Sequence, residues 1–144
     1  MGLLTFKGGI HPNDGKSLAK DKAIVTVMPK GDLIYPLSQH IGAPASPIVS
    51  VGDHVLKGQK IAEAGGFVSA PIHASVSGTV KAIEPHFNPT GSKVNCIVVE
   101  NDGEYQEVPY APAKPFDELT KEAILNLISE AGIVGMGGQV SRQK

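Results

Sequence analysis

The chain has 144 residues, 41% hydrophobic and 19% charged, with a formal net charge of −1. That length gives one domain, or one domain with an appendage, and folding buries roughly two-thirds of the unfolded surface. A near-neutral charge gives no long-range pull toward nucleic acid or anionic lipid, and a single cysteine, Cys96, excludes a disulfide framework or a multi-cysteine metal site within the sequence.

Seventeen Gly and eleven Pro with few aromatics imply many turns per residue, hence short strands and a mainly β fold. No apolar run approaches the roughly 18 residues that span a bilayer, and no secretory leader pattern is seen, so a cytoplasmic location is expected. In the first zone, extended runs are expected at 23–27 (AIVTV), 33–37 (LIYPL) and 48–51 (IVSV), between turns at Asp14-Gly15 and Gly31-Asp32. Pro29, Pro36, Pro44 and Pro47 lack a backbone donor and confine those stretches to sheet edges or loops.

Residues 51–108 form the second zone. Gly52-Asp53 and Gly58 mark tight turns, and Val55, Ile61, Val68, Val80 and Ile83 are expected to point inward. Gly78 precedes an alternating strand at 79–83, and 94–100 (VNCIVVE) reads as another, with Cys96 a buried small residue in it. The Asn101-Asp102-Gly103 turn then leads into a returning strand at 104–108. Gly65-Gly66 reads as a two-residue hairpin, because such a turn needs positive φ.

A proline-rich linker at 109–119, too poor in donors for regular structure, precedes one helix. Thr120 is its expected N-cap, Glu122 lies in the first turn where negative charge is favoured, and Ala123, Ile124, Leu127, Ile128 and Ala131 share one face. Gly132 supplies the left-handed C-terminal residue. The glycines that follow, Gly135, Gly137 and Gly138, would let backbone N–H groups approach a phosphate or flat ring, although phosphate loops ordinarily open a helix instead of following one.

No catalytic or metal constellation is legible. His11, His40, His54, His73 and His86 lack metal-ligand spacing, and His40 and His73 are expected to organise loops by hydrogen bonding. Ser46, Ser50, Ser69, Ser75 and Ser77 lack a G-x-S-x-G context; Asp14, Asp32 and Asp53 adjoin glycines as turn residues; Glu100, Glu104 and Glu107 line a solvated strand face.

VGDHVLKGQKI and APIHASVSGTVKAI resemble the two halves of a biotinyl/lipoyl-type barrel sandwich. The resemblance implies a modifiable lysine at the turn between them, but that turn, Ala64-Gly65-Gly66-Phe67, has none; Lys57 and Lys60 flank the opposite turn. TFKGGIHP (5–12), YPLSQHIGAPASPIVSVGDHVLKGQ (35–59), SAPIHASVSGTVKAIE (69–84) and AGIVGMGG (131–138) together resemble, in order, the RnfC family, the C subunit of the Rnf electron-transport complex. More distantly they are similar to the A subunit of the sodium-translocating NADH:quinone oxidoreductase. The glycine cluster resembles the flavin- and NADH-binding entry loop of the complex I flavoprotein.

The resemblance implies a barrel-sandwich domain at 1–108, the linker, and at 120–144 a helix opening a flavin/NADH domain. It also implies, for the longer parent protein, FMN, NADH and two [4Fe–4S] clusters, with ferredoxin, NAD(H) and membrane-embedded and flavin-bearing subunits as partners at the inner face of the cell membrane. The family's continuation after the double glycine is absent from Gln139 onward, so a fragment is expected, with no cofactor of its own and no catalysis. A non-catalytic docking domain is thus the expected function; a biotinyl/lipoyl carrier and a residual flavin/NADH-binding fragment are the alternatives.

Overall fold

The computed structural model describes residues 13–110 and 114–135; the 5–12 motif, His11, Gly137 and Gly138 lie outside them. Among the described residues there are seven strands: β1 (Asp32–Pro36), β2 (Ser46–Pro47), β3 (His54–Val55), β4 (Lys60–Glu63), β5 (Ile72–His73), β6 (Gly78–Phe87) and β7 (Lys93–Asn101). They form two antiparallel sheets, ordered β1-β7-β6-β3 and β2-β4-β5. One helix, α1 (Lys121–Glu130), follows. The fold is mainly β, with the two sheets sharing one core.

Alternation along the strands builds that core. In register, Leu33, Val99 and Val80 form one inward row and Tyr35 and Ile97 the next. Val55, Ile61, Ala62 and Val76 close the core from β3, β4 and the turn before β6, and Val55, Ile61, Val76, Ile97 and Val99 are fully buried. Each such valine or isoleucine contributes about 1.5–3 kcal/mol over an exposed one. The prolines sit where a ladder can spare a donor: Pro36 and Pro47 lie in the edge strands β1 and β2, and Pro85 lies in β6 beyond the short reach of β3. A register shift between Val80 and Ala82 bulges β6 at Lys81, whose Nζ reaches Asp32 Oδ2 at 2.8 Å.

Several expectations need correction. The 23–27 run forms no strand: Ile24 is 100% exposed, Val25 and Val27 are exposed, and no described strand pairs with the run. Residues 48–51 also stay outside the sheets; β2 precedes them, the Ile48 amide donates to the Ile61 carbonyl, and the Ser50 amide turns to Asp53 Oδ2. The 104–108 segment does not return along β7, because Tyr105 takes a positive φ of 52° and turns the chain toward Lys57. There Lys57 N–H donates to Gln106 O and Val108 N–H to Lys57 O. Ile83 is partly exposed, since β3 pairs only with Gly78 and Thr79 and leaves the rest of β6 as an edge. Val68 is partly exposed in a loop, and the linker contains a 3-10 turn at Phe116–Glu118.

The helix ends match expectation. Thr120 Oγ1 accepts from the Ala123 amide at 3.2 Å. At the other end Gly132 (φ 67°) donates to Ser129 O and Ile133 to Ile128 O, the paired bonds of a Schellman cap. No residue of α1 is buried.

Candidate functional site

The tip between β4 and β5 is where a carrier domain would present its lysine. Residues 64–71 form an open loop there, not a two-residue hairpin, and neither Gly65 nor Gly66 has positive φ. Gly65 is needed for its size: a Cβ would fall on the Pro44 carbonyl oxygen, and one at Gly66 would crowd the Ala43 Cβ. Gly42 meets the Val68 carbonyl in the same way from the facing loop. Ala43 N–H donates to Val68 O at 2.9 Å, and Gly65 N–H donates to the buried Ser69 Oγ at 3.0 Å. Two loops are therefore clasped backbone to backbone, with Ile41 and Phe67 exposed beside the clasp. Sequence reasoning missed the partner loop, although Gly42 within QHIGAPAS was the visible signal.

At the start of β4 the lysines are in ion pairs. Lys57 Nζ meets Glu107 Oε1 at 2.5 Å, and Lys60 Nζ meets Glu63 Oε1 at 2.8 Å and Glu130 Oε2 at 2.7 Å. Each is held above the usual lysine range, Lys57 chiefly by its hydrogen bond to Glu107 and Lys60 by that to Glu130. The Lys60–Glu130 pair ties the end of α1 to β4, and a Cβ at Gly132 would strike the Pro71 carbonyl oxygen. His73 beside this contact is pushed below the usual histidine range, mainly by burial and then by Lys60, with Glu130 opposing. Among the described residues its ring takes part in no hydrogen bond, so the expected loop-organising bond is not found.

Of the three glycines expected to face a nucleotide, only Gly135 lies among the described residues, partly buried just past α1. The nearby hollow lined by His40, Pro71, Gly132 and Val134 measures about 30 Å³, room for water and not for a flavin ring. A larger open hollow of about 660 Å³, lined by Pro36, Gln39, His40, Ile41, Asn88 and Thr90, lies away from Gly135, and one cysteine cannot ligate a [4Fe–4S] cluster.

The sequence profile of the RnfC barrel-sandwich hybrid domain matches residues 4–104. The chain belongs to this family. It is 46% identical over 138 residues to the C subunit of the proton-translocating ferredoxin:NAD(+) oxidoreductase complex of Clostridium ljungdahlii, covering 94% of this chain and 30% of that protein. It is 42% identical over 135 residues to the C subunit of the Na(+)-translocating ferredoxin:NAD(+) oxidoreductase complex of Acetobacterium woodii, covering 93% and 30%. Identity to the C subunit of the ion-translocating oxidoreductase complex of Vibrio cholerae is 41% over 138 residues, covering 94% and 18%. The chain therefore spans less than a third of the length of these relatives.

Other polar groups of this RnfC-family domain bond to one another within it. Fully buried Ser77 donates its hydroxyl to Asp102 Oδ1 at 2.7 Å and accepts the Gln106 N–H at 2.9 Å. His54 Nε2 meets the other Asp102 oxygen at 3.1 Å. In a nucleophilic triad the histidine stands between serine and carboxylate; here the carboxylate stands between the other two. Asp102 is held below the usual carboxylate range, first by the Glu104 N–H, then by Ser77 and His54, against some desolvation. His40 bonds its own loop through Nδ1 and Ile41 O at 3.0 Å, and His86 meets Glu84 at 3.2 Å. Among the described residues no three His, Cys, Asp or Glu side chains gather as a metal site, and no helix is long and apolar enough to cross a membrane.

Proposed function

We propose that this chain is the docking and structural module of the RnfC component of an Rnf-type ferredoxin:NAD electron-transport complex, with no chemistry of its own. The observation that carries this reading is the clasped tip. A swinging-arm carrier needs a lysine on a protruding turn, whereas here the tip is lysine-free and its backbone is packed against the 42–45 loop. Membership of the RnfC family and the names of its relatives supply the complex. Membrane-embedded and flavin-bearing subunits at the inner membrane face are the proposed partners, with ferredoxin and NAD(H) as substrates of the whole assembly.

On the same reading, residues 1–108 form the sandwich, 109–119 the linker, and 120–144 the opening of a flavin/NADH domain. The exposed apolar side chains of α1, Leu125, Leu127 and Ile128, support that division, because a helix completed within this domain would bury them. Gly135, Gly137 and Gly138 are the proposed nucleotide-facing backbone of that second domain.

A pull-down of the chain against the membrane-embedded and flavin-bearing subunits tests the docking role. Retention at low salt is expected, and absence of retention would sink it. Intact mass should equal that of the unmodified polypeptide; a biotinyl or lipoyl increment would restore the carrier alternative.

A further inference from the structure

The 23–28 segment has the composition of a doubly buried strand but, among the described residues, pairs with none. AIVTVM is a near-continuous run of β-branched and apolar residues, the pattern of a strand covered on both faces. Ile24 is 100% exposed, Val25 76% and Val27 83%, so both alternating faces are bare. Among the described residues none forms a backbone hydrogen bond with 23–28. The carboxyl end of the segment is anchored: Pro29 O accepts from Tyr105 OH at 2.6 Å and from Asn101 Nδ2 at 2.9 Å. Lys20, Lys22 and Lys30 flank the run against a single carboxylate, Asp21.

We propose that residues 23–28 add as a strand to an open sheet edge of another protein in the complex, one whose edge is apolar at its centre and carries carboxylates at both ends. Strand addition satisfies the backbone groups that no described residue pairs and covers alternating side chains in one step. A second copy fits worse, because antiparallel self-pairing about Thr26 sets Lys22 opposite Lys30, and like charges directly opposite destabilise. A bilayer fits worse too, because lipid cannot pair the backbone and residues 20–30 hold no interfacial aromatic. The inference rests on the docking reading and assigns it a surface.

The test is amide exchange on the 144-residue chain with synthetic strand peptides of alternating Val and Thr, flanked by glutamates or by lysines. The Glu-flanked peptide is expected to slow exchange at 24–28 by about tenfold or more, equivalent to roughly 1.4 kcal/mol, and the Lys-flanked peptide to leave it unchanged. Thr26→Pro, which removes a ladder donor, should abolish the effect while β6 and β7 amides keep their protection. Equal protection by both peptides, none by either, protection only by anionic phosphatidylglycerol vesicles, or concentration-dependent protection of the chain alone each overturns the proposal. If the peptides fail while the partner subunits are still retained in the pull-down, docking stands and this surface is wrong.

Discussion

Gly65 and Gly66 show how a residue type can be right and its reason wrong. Two adjacent glycines between apolar runs read as a turn needing positive φ, yet both keep ordinary φ and are small because the 42–45 loop lies against them. That neighbour is set by tertiary structure, so local sequence could not supply it. Gly65→Ala should lower stability by about 1–3 kcal/mol, since a backbone carbonyl must move to admit the methyl group. Gly91→Asn is the control, because Gly91 has φ 80° and open space around it. Asparagine tolerates that conformation, and its effect should stay within about 0.5 kcal/mol. Urea denaturation of the two variants against the parent checks both.

At the level of elements, what could be read locally was read well. The caps of α1 are local: the Thr120 hydroxyl accepts from the first turn, and Gly132, having no Cβ, takes the positive φ. The strand runs around Leu33, Thr79 and Val94, one alternating and two largely apolar, are distinct enough to be placed. A strand, however, needs a partner remote in sequence: among the described residues 23–27 finds none, and 104–108 meets only Lys57, in a single bridge. The candidate site was less legible: its lysine-free tip was visible, whereas the clasp and the Lys60–Glu130 tie are contacts between segments far apart in the chain. Lys60→Met should loosen α1 alone. An exposed pair worth up to about 1 kcal/mol predicts up to roughly fivefold faster amide exchange in the last turn of the helix, with β6 and β7 unchanged. Equal acceleration in the strands would show that the lysine supports the barrel instead.

For the whole molecule, the titrating groups define a pH range of full stability. His73 is depressed in the folded state, so the unfolded chain takes up its proton more readily; stability is complete above the ordinary value of 6.5 and falls as pH drops through the folded value. Asp102 is depressed as well, so its contribution is present above 3.8 and is lost on further acidification. Lys57, Lys60 and Lys81 are raised, so what they contribute is present below 10.5 and lost as pH climbs through their folded values. Urea midpoints across pH should therefore show a plateau with two acid-side declines. His73→Gln should remove the upper decline and Asp102→Asn the lower. A parent profile that stays flat from about pH 7 to about pH 3 would refute the assignment.

The crossing of 104–108 beside Lys57 has a mechanical consequence. The proline-rich run follows Val108, whose amide is held by the Lys57 carbonyl, while the Lys57 amide is held by the Gln106 carbonyl. Tension arriving along that run meets these two bonds together, side by side in a parallel bridge, and cannot peel them one at a time. The barrel thus offers the linker a fixed mooring, and a load on the linker reaches the turn at Gly58 before it reaches the sheet.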